Sequence, residues 1–266
     1  VLSRNDFIEN KFSQHHIKQE LFLELKDNRF ETKPNIKGLK LNNKLWENSI
    51  PFSDICLVAY GARLNHRSKK IGKDNYLHEK YAKGYKPFLE GKNINRYSYV
   101  QSGWLNFTPK EHYNPMFSEL FENDKLICIN VVKDRLRFTF DNEKNYNSHT
   151  VLNCVRIDKL IGATHISAKK IVGNVNWKIS QNYHYYYLLG ILNSLLINWY
   201  FVNFLSESLH FYPNDAKSLP IPKIDFTNPG GKKKHDEIVK HVETMLELNK
   251  ELQKSKPGEE QERLKQ

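Results

Sequence analysis

The pattern of hydrophobic and polar positions predicts short strands through the middle of the chain. Residues 52–60 and 125–133 are apolar runs bounded by Pro, Gly or charged residues, which is typical of buried strands. In 135–140 apolar residues alternate strictly with Arg and Thr, so we expect a strand with one buried and one exposed face. Residues 104–107 and 150–157 are predicted as two further short strands.

A long apolar segment at 188–205 predicts a buried helix. Its length would also suffice for a membrane span, but the segment contains Asn and Ser and stands alone in a polar chain. We therefore predict a core helix and expect no membrane partner. Gly190, Ser194 and Asn198 are four residues apart on one stripe of this helix, where a neighbouring element can approach closely.

The segments between these elements are predicted mainly as connectors and turns. Residues 17–26 have the apolar spacing of a short helix, whereas 38–48 are predicted as a polar connector. A Gly-Asn pair within 167–179 favours a β-hairpin. The two Pro residues in 220–222 are expected to stop helix and sheet alike, and 228–231 is expected to be a linker.

The last predicted helix carries a seam of mostly apolar residues with alternating spacings of four and three. Its members are Ile238, Val242, Met245, Asn249 and Leu252. This spacing is typical of a coiled coil, in which a polar Asn can set the register. The seam spans only about two heptads, however, and packing against the body of the same chain explains it equally well. Both interpretations stay open at this point.

Charge is concentrated in one part of the chain. The net charge is +11, and residues 61–96 hold ten Lys or Arg residues against three acidic ones. Clustered positive charge with Tyr residues among it is typical of a protein that binds a phosphate backbone. The alternative interpretation is a solvated basic face.

The three cysteines favour a reducing compartment. Cys56, Cys128 and Cys154 are odd in number and far apart, which argues against a disulfide framework and against a zinc ribbon. We therefore expect a cytoplasmic protein. The first residue is Val1 and not Met, so we expect the chain to be a piece of a longer protein. The first ten residues are too polar for a signal peptide.

Five segments, taken in their order along the chain, resemble one known family. They are IPFSDICLVAYGARLNHRSK (50–69), YKPFLEGKNINRYSY (85–99), KDRLRFTFDNEKNYNSHTVLNCV (133–155), LLGILNSLLINWYF (188–201) and SLPIPKI (218–224). Together they resemble the TaqI-like C-terminal specificity domain of type IIG restriction–modification enzymes and Eco57I-like N6-adenine DNA methyltransferases. The 188–201 helix, the Pro-rich exit and the last helix are also similar to type I specificity subunits.

The resemblance and the predicted elements together imply an α+β fold. We expect a mixed or antiparallel, β-rich target recognition domain with a buried helix and a short coiled-coil-like C-terminal segment. Residues 1–48 are then a helical lead-in from a catalytic region outside this chain, 49–227 the DNA target recognition domain, and 228–266 a linker with the C-terminal helix.

The resemblance also implies the partners. They are double-stranded DNA and the methyltransferase and nuclease domains of the same parent chain, in a bacterial or archaeal cell. S-adenosylmethionine and Mg²⁺ are expected to bind only those parent domains, so no cofactor is expected in this chain.

Two groups of residues are candidates for contacting DNA. Arg and Lys pair with guanine, and Asn with adenine, in the major groove, whereas other Lys residues hold phosphates. In the basic loop the expected base readers are Arg63, Asn65, His66 and Arg67, with Lys69 and Lys70 on phosphates. The second group consists of Arg135, Arg137, Asn147, Ser148 and His149. For 147–149 a hydrogen-bonded turn between strands is an equal alternative, and for Tyr97, Tyr99 and Trp104 core packing is favoured over DNA contact.

No catalytic or metal-binding residue is predicted with any specificity. Residues 114–117 superficially resemble the loop of an adenine methyltransferase but lack its second Pro, so we interpret them as a turn. Asp6, Glu24 and Lys26 formally match the spacing of a Mg²⁺-dependent nuclease, which is the rival function from another class. A protein-interaction module acting through the helix at 235–256 is the third candidate.

Overall fold

The computed structural model describes most of the chain, namely residues 8–9, 16–24, 35–132, 134–205 and 210–255. The chain divides into two compact units, Val1–Asn48 and Ser49–Gln266.

The first unit contains a 3₁₀ helix, Gln19–Glu24, and an α-helix, α1 (Ile36–Glu47). Helix α1 begins at Asn35, whose side chain accepts a hydrogen bond of 3.0 Å from the Gly38 amide. The prediction of a polar connector at 38–48 is therefore wrong. The N-cap and one buried stripe are enough to form a helix from a segment that is polar on average. The helix predicted at 17–26 is confirmed over Gln19–Glu24, and its last two residues lie outside the described part of the chain.

The second unit mixes short strands with helices. The strands are β1 (Ser49–Pro51), β2 (Cys56–Tyr60), β3 (Arg63–His66), β4 (Leu77–His78), β5 (Lys86–Leu89), β6 (Ile94–Asn95), β7 (Ser98–Tyr99), β8 (Gly103–Leu105), β9 (His112–Asn114), β10 (Lys125–Ile129), β11 (Phe138–Asp141), β12 (Tyr146–Asn147), β13 (Val151–Arg156) and β14 (Pro220–Pro222). The helices are α2 (Ser118–Glu122), α3 (Ile166–Asn174), α4 (Lys178–Gln181), α5 (Tyr185–Leu192), α6 (Leu195–Tyr200), α7 (Pro213–Lys217) and α8 (Pro229–Lys254). A π-helical turn, Phe201–Leu205, extends α6.

A central antiparallel sheet forms the core, with the strand order β11-β10-β13-β2. Its middle strands are buried on both faces: Leu126, Ile127 and Cys128 are all fully buried. The strands predicted within 52–60, 125–133 and 150–157 are confirmed.

The alternating strand predicted at 135–140 is only partly right. The strand begins at Phe138, and Thr139, which was expected to face solvent, is buried. An alternating pattern predicts an exposed face only where one side of the sheet meets water, and here both sides are covered.

A second sheet is mixed, with the order β12-β5-β8-β4 and a parallel pairing of β12 with β5. The short strand predicted at 104–107 is β8, shifted by about two residues. Three two-stranded pairings complete the fold, β1–β14, β3–β9 and β6–β7. The predicted α+β class, with mixed and antiparallel sheets, is confirmed.

Three predictions based on Pro and Gly are wrong for a common reason. Residues 220–222 form β14, which pairs with β1; both strands are short and have no further neighbour in the described part of the chain, so the missing Pro amides cost little. Residues 228–231 begin α8, because the Asn228 side chain accepts from the Gly230 amide and Pro229 occupies the first helical position. Residues 167–179 form α3 and α4, and the Gly-Asn pair ends α3. In each case the breaker residue lies at the end of an element.

The predicted core helix is confirmed but broken. Asn193 and Ser194 separate α5 from α6, and the Ser194 hydroxyl accepts from the Ile197 amide at 3.2 Å to start the second helix. The Asn193 side chain accepts from the Phe138 amide at 3.0 Å and donates to the Phe138 carbonyl at 2.9 Å. Its amide therefore takes the place of a further strand beside β11, which explains a polar residue at this buried position.

The helices were also tested for membrane-spanning length. Among the described residues no single helix is long and apolar enough to cross a membrane. Tyr185–Leu192 and Leu195–Leu205 pass that test only as a pair, and the pair is bent by 52°.

Helix α8 packs against α5 at the glycine of the predicted stripe. A Cβ atom on Gly190 would lie 2.9 Å from Val242 Cγ2 and 3.0 Å from Ile238 Cγ2, so a larger residue would push the helices apart. Val242 is buried, whereas Met245 is 41% exposed. Packing on the body of the same chain therefore accounts for the first half of the seam.

Candidate nucleic-acid interface

Strands β3 and β9 form a two-stranded ribbon with one buried and one exposed side. Arg63 pairs with Asn114 and His66 with His112, and a bulge lies between the two pairs. Leu64 is buried, while Arg63 and Asn65 point outward. The ribbon therefore presents polar side chains to solvent over an apolar base.

The chain enters the ribbon through a very close contact at Gly61. A Cβ atom there would collide with the side chain and carbonyl of Asn147 and with the Ser148 carbonyl. On the next residue, the Ala62 amide donates to Asn147 O at 2.9 Å and the Ala62 carbonyl accepts from the His149 amide at 3.0 Å. The 147–149 segment thus fixes the direction in which β3 leaves β2.

His112 holds the buried side of the ribbon together. Its Nε2 accepts from the Thr108 amide at 3.2 Å, so the proton lies on Nδ1, which donates to Leu64 O at 2.9 Å. The Tyr76 ring packs edge-on at 4.6 Å. Burial lowers the pKa of His112, which keeps the ring neutral and both bonds intact.

The loop after β3 is shaped by its own side chains. His66 Nδ1 accepts from the amides of Ser68 and Lys69 at 3.1 and 3.0 Å. Arg67 donates from Nε and Nη2 to His112 O at 3.3 and 3.2 Å. His66 and Arg67 are therefore partly engaged in holding the loop.

The other predicted contact residues of this loop are exposed and unengaged. The side chains of Arg63, Asn65, Lys69 and Lys70 make no hydrogen bond or ion pair with any residue that the structure describes. Such side chains are available to a partner without first breaking internal bonds.

Further titratable side chains lie around Arg63. The pKa of His149 is lowered by its partial burial and then by the nearby charges of Arg63 and Lys73. Tyr60 also lies close to Arg63, and burial raises its pKa. The predicted loop and the predicted residue His149 therefore meet on one surface, although they are about 85 residues apart in sequence.

Residues 86–185 match the family model of the TaqI-like C-terminal specificity domain. The resemblance predicted from the sequence is confirmed over these residues, and it indicates a DNA specificity domain of restriction–modification enzymes. No curated protein matches the chain.

The matched residues include β9 and the 147–149 segment but not β3. Of the five quoted segments, the match covers 133–155 and nearly all of 85–99. The segments at 50–69, 188–201 and 218–224 lie outside it. For those three the resemblance stays a prediction.

The second predicted group of contact residues does not form one surface. Asn147 is fully buried and exchanges two hydrogen bonds of 2.7 and 2.8 Å with Asn153. Ser148 is buried too, and its hydroxyl lies 2.8 Å from that of Thr150. For these two residues the structural alternative, a hydrogen-bonded connection between strands, is the better interpretation. His149 is exposed.

The two arginines of that group lie before β11 and not on an exposed strand face. Arg137 is paired with Asp134 at 2.9 Å, and Arg135 donates to the Asn193 carbonyl at 3.0 Å. Neither side chain lies on the ribbon, so the geometry separates them from the first group.

Part of the basic segment is neutralised by carboxylates. Lys73 and Lys92 both pair with Glu90, at 2.5 and 2.8 Å, and Lys86 pairs with Glu122 at 2.8 Å. These lysines are already paired within the fold, whereas the cations of the ribbon and its loop pair with no carboxylate that the structure describes.

Two exposed residues on β9 were missed in the sequence. Tyr113 is 62% exposed and Asn114 lies opposite Arg63. Only the pairing of β9 with β3 brings them to this surface, and no local pattern indicates a pairing across almost 50 residues. Residues 114–117 form the predicted turn, in which the Asn114 side chain accepts from the Met116 amide at 3.3 Å.

The three aromatic residues considered for DNA contact are only partly exposed. The Tyr99 hydroxyl donates to Asp141 at 3.4 Å, and the Trp104 ring meets the Tyr81 ring edge-on at 4.8 Å. Arg96 lies over the Tyr97 ring, at 5.3 Å from its centroid. These contacts favour the packing interpretation.

The residues of the rival nuclease hypothesis fall mostly outside the structure. Asp6 and Lys26 are not among the described residues, and Glu24 ends the 3₁₀ helix Gln19–Glu24. Within the described ranges, no group of three or more His, Cys, Asp or Glu side chains is placed to hold a metal ion.

Proposed function

We propose that the chain is a sequence-specific recognition domain for double-stranded DNA that uses the β3–β9 ribbon as its reading element. The major groove of B-DNA admits a two-stranded β-ribbon, whose outward side chains then meet base edges. The observation that carries the proposal is the exposed, unengaged set on the ribbon and its loop, next to a segment that matches a DNA specificity family.

Each side chain has a role that follows from its chemistry. Arg63 offers the forked donor that pairs with guanine, and Asn65 the donor and acceptor that pair with adenine. Lys69 and Lys70 lie in the loop at the end of the ribbon and supply phosphate contacts. His66 and Arg67 shape this loop, and each keeps a ring or guanidinium nitrogen for a DNA contact.

We further propose that the parent protein is a type IIG restriction–modification enzyme or an N6-adenine DNA methyltransferase of the bacterial or archaeal cytoplasm. This chain would then position methyltransferase and nuclease domains on their site. The residues described here do not fit S-adenosylmethionine or Mg²⁺, because the chain has no glycine-rich cofactor loop and the described residues hold no carboxylate cluster. Those groups are assigned to the parent domains.

A protein interaction through α8 is the second candidate function. Met245 and Leu248 are exposed on this helix, at 41% and 36% of their surface. Salt-sensitive binding of the chain to DNA would disfavour this candidate.

Selection from a random duplex library, followed by fluorescence anisotropy on the enriched site, tests the main proposal. Arg63→Ala and Asn65→Ala should each cost about 1–3 kcal/mol at one base pair and relax the preference there. The matched control is Lys170→Ala on α3, which removes an exposed cation far from the ribbon in sequence. Failure to enrich any sequence, or unchanged affinity for the enriched site in both ribbon variants, would contradict the proposal.

A further inference from the structure

Two arginines converge on one backbone oxygen at the break between α5 and α6. Arg96 Nη2 donates to the carbonyl oxygen of Asn193 at 3.1 Å, and Arg135 Nη2 donates to the same oxygen at 3.0 Å. A carbonyl oxygen has two lone pairs and can accept both bonds. The two guanidinium groups are therefore close neighbours, although they come from the β6–β7 turn and from the segment before β11.

No carboxylate compensates this pair among the described residues. The other half-buried arginines have one: Arg156 pairs with Asp158 at 2.8 Å, and Arg137 with Asp134 at 2.9 Å. Arg96 and Arg135 make no ion pair with a described residue, and the shared carbonyl is the only hydrogen-bond acceptor that the structure describes for either guanidinium. Two like charges held side by side are unfavourable unless an anion joins them.

The helix end offsets only part of the charge. Asn193 caps the C-terminus of α5, where the backbone dipoles are equivalent to roughly half a negative charge. One arginine would be enough to satisfy this end of the helix. With two, most of the positive charge is left without a partner.

Neither guanidinium group has all of its donors satisfied by the described residues. The Nε atoms of Arg96 and Arg135 are buried and have no hydrogen-bond partner. The Nη1 atoms donate to no described residue. The Tyr97 ring lies under the Arg96 guanidinium and limits its movement.

From this arrangement we infer that Arg96 and Arg135 form a binding site for a phosphate group. The planar guanidinium fork matches the oxygens of phosphate, and two forks fixed by one carbonyl can share a single tetrahedral anion. The phosphate can belong to the DNA backbone or to a free ion, and the site lies outside the β3–β9 ribbon. It does not depend on the ribbon being the reading element.

The first arm of the test uses inorganic phosphate and no DNA. Thermal unfolding of the whole chain is followed with phosphate and with chloride at matched ionic strength. Phosphate should raise the Tm of the unmodified chain by about 2–4 °C, and Arg96→Gln, Arg135→Gln and their combination should abolish most of this rise. Lys170→Gln, which removes a single exposed charge, should keep it.

The second arm measures the salt dependence of binding to duplex DNA. If the site holds a backbone phosphate, the double variant should lose about one unit from the slope of log K against log salt. Loss of the Tm rise with an unchanged slope identifies a free phosphate as the ligand. If the unmodified chain binds no DNA, the proposed function fails, while the phosphate arm still tests this site.

The lysine variants protect the test against misfolding. Arg96→Lys and Arg135→Lys keep the charges and a donor for Asn193, so phosphate should still raise the Tm, but by less. The inference is overturned if folded Gln variants, checked by circular dichroism, respond to phosphate and to salt as the unmodified chain does.

Discussion

At the scale of single residues, His112 makes the ribbon sensitive to acid. Burial lowers the pKa of the folded imidazole, whereas an unfolded His titrates near about 6.5. Between these two values the unfolded chain binds more protons, so stability is fully present above about pH 6.5 and falls as the pH drops toward the folded pKa. The pKa values of His149 and His184 are lowered as well and act in the same direction.

Replacing His112 by Gln separates its share of this effect. The amide keeps one donor and one acceptor for Leu64 and Thr108 but does not titrate. We expect urea unfolding between pH 7.5 and pH 5.5 to show a smaller loss of stability in His112→Gln than in the unmodified chain. Equal losses in the two proteins would show that His112 is not the group responsible.

Gly61 is the second residue-scale prediction. Gly61→Ala places a methyl group against the Asn147 backbone, which cannot move without disturbing the Asn147–Asn153 pair, so we expect a loss of about 1–3 kcal/mol in the free energy of unfolding. Gly72→Ala is the matched control, because a Cβ there meets nothing within 4 Å. Its effect should stay within about 0.5 kcal/mol. A similar cost at both positions would contradict the close contact at Gly61.

At the scale of elements, the contact between α5 and α8 allows two interpretations of the α8 seam to be distinguished. The seam either packs on the body of the same chain or forms a coiled coil with another chain. Val242→Ala removes buried methyl groups at Gly190 and should cost about 1–3 kcal/mol, whereas Met245→Ala changes an exposed side chain and should cost little. Unfolding should not depend on protein concentration, which sedimentation and denaturation at two concentrations will check. A concentration-dependent midpoint would indicate that α8 joins two chains.

The elements also show which parts of the fold local patterns can predict. Runs such as 125–133 were predicted correctly because a buried strand needs only apolar residues and no breaker. Residues 38–48 and 228–231 were misjudged because Asn35 and Asn228 act as N-caps, and the same polar residues also occur in loops. Whether such an Asn caps a helix or lies in a loop depends on its position in the fold.

The candidate site was predictable only in part, for a related reason. Charge density pointed to the loop after β3, and His149 was proposed from its segment. The pairing of β3 with β9 joins residues almost 50 apart, so Tyr113 and Asn114 gave no local signal. The burial of Asn147 depends on its hydrogen bonds with Asn153 on β13 of the central sheet, which composition does not reveal.

At the scale of the whole molecule, the net charge of +11 predicts salt-sensitive DNA binding, with individual charges contributing unequally. Lys69→Gln and Lys70→Gln should each lower the slope of log K against log salt by about 0.9 and weaken all sequences alike. Lys86→Gln removes the same charge from a lysine already paired with Glu122, so its slope should change less. If the three substitutions changed the slope equally, the affinity for DNA would depend on the net charge alone and not on the position of each lysine.

On the ribbon and its loop, the side chains that make hydrogen bonds within the fold are different residues from those that make none. Arg63 and Asn65 point outward and support nothing else in the fold, so their replacement leaves the scaffold intact. His66 and Arg67, one and two positions further on, hold the loop. Under the proposed function, substitutions at Arg63 and Asn65 should change the DNA preference without loss of stability, whereas substitutions at His66 and Arg67 should also destabilise the loop.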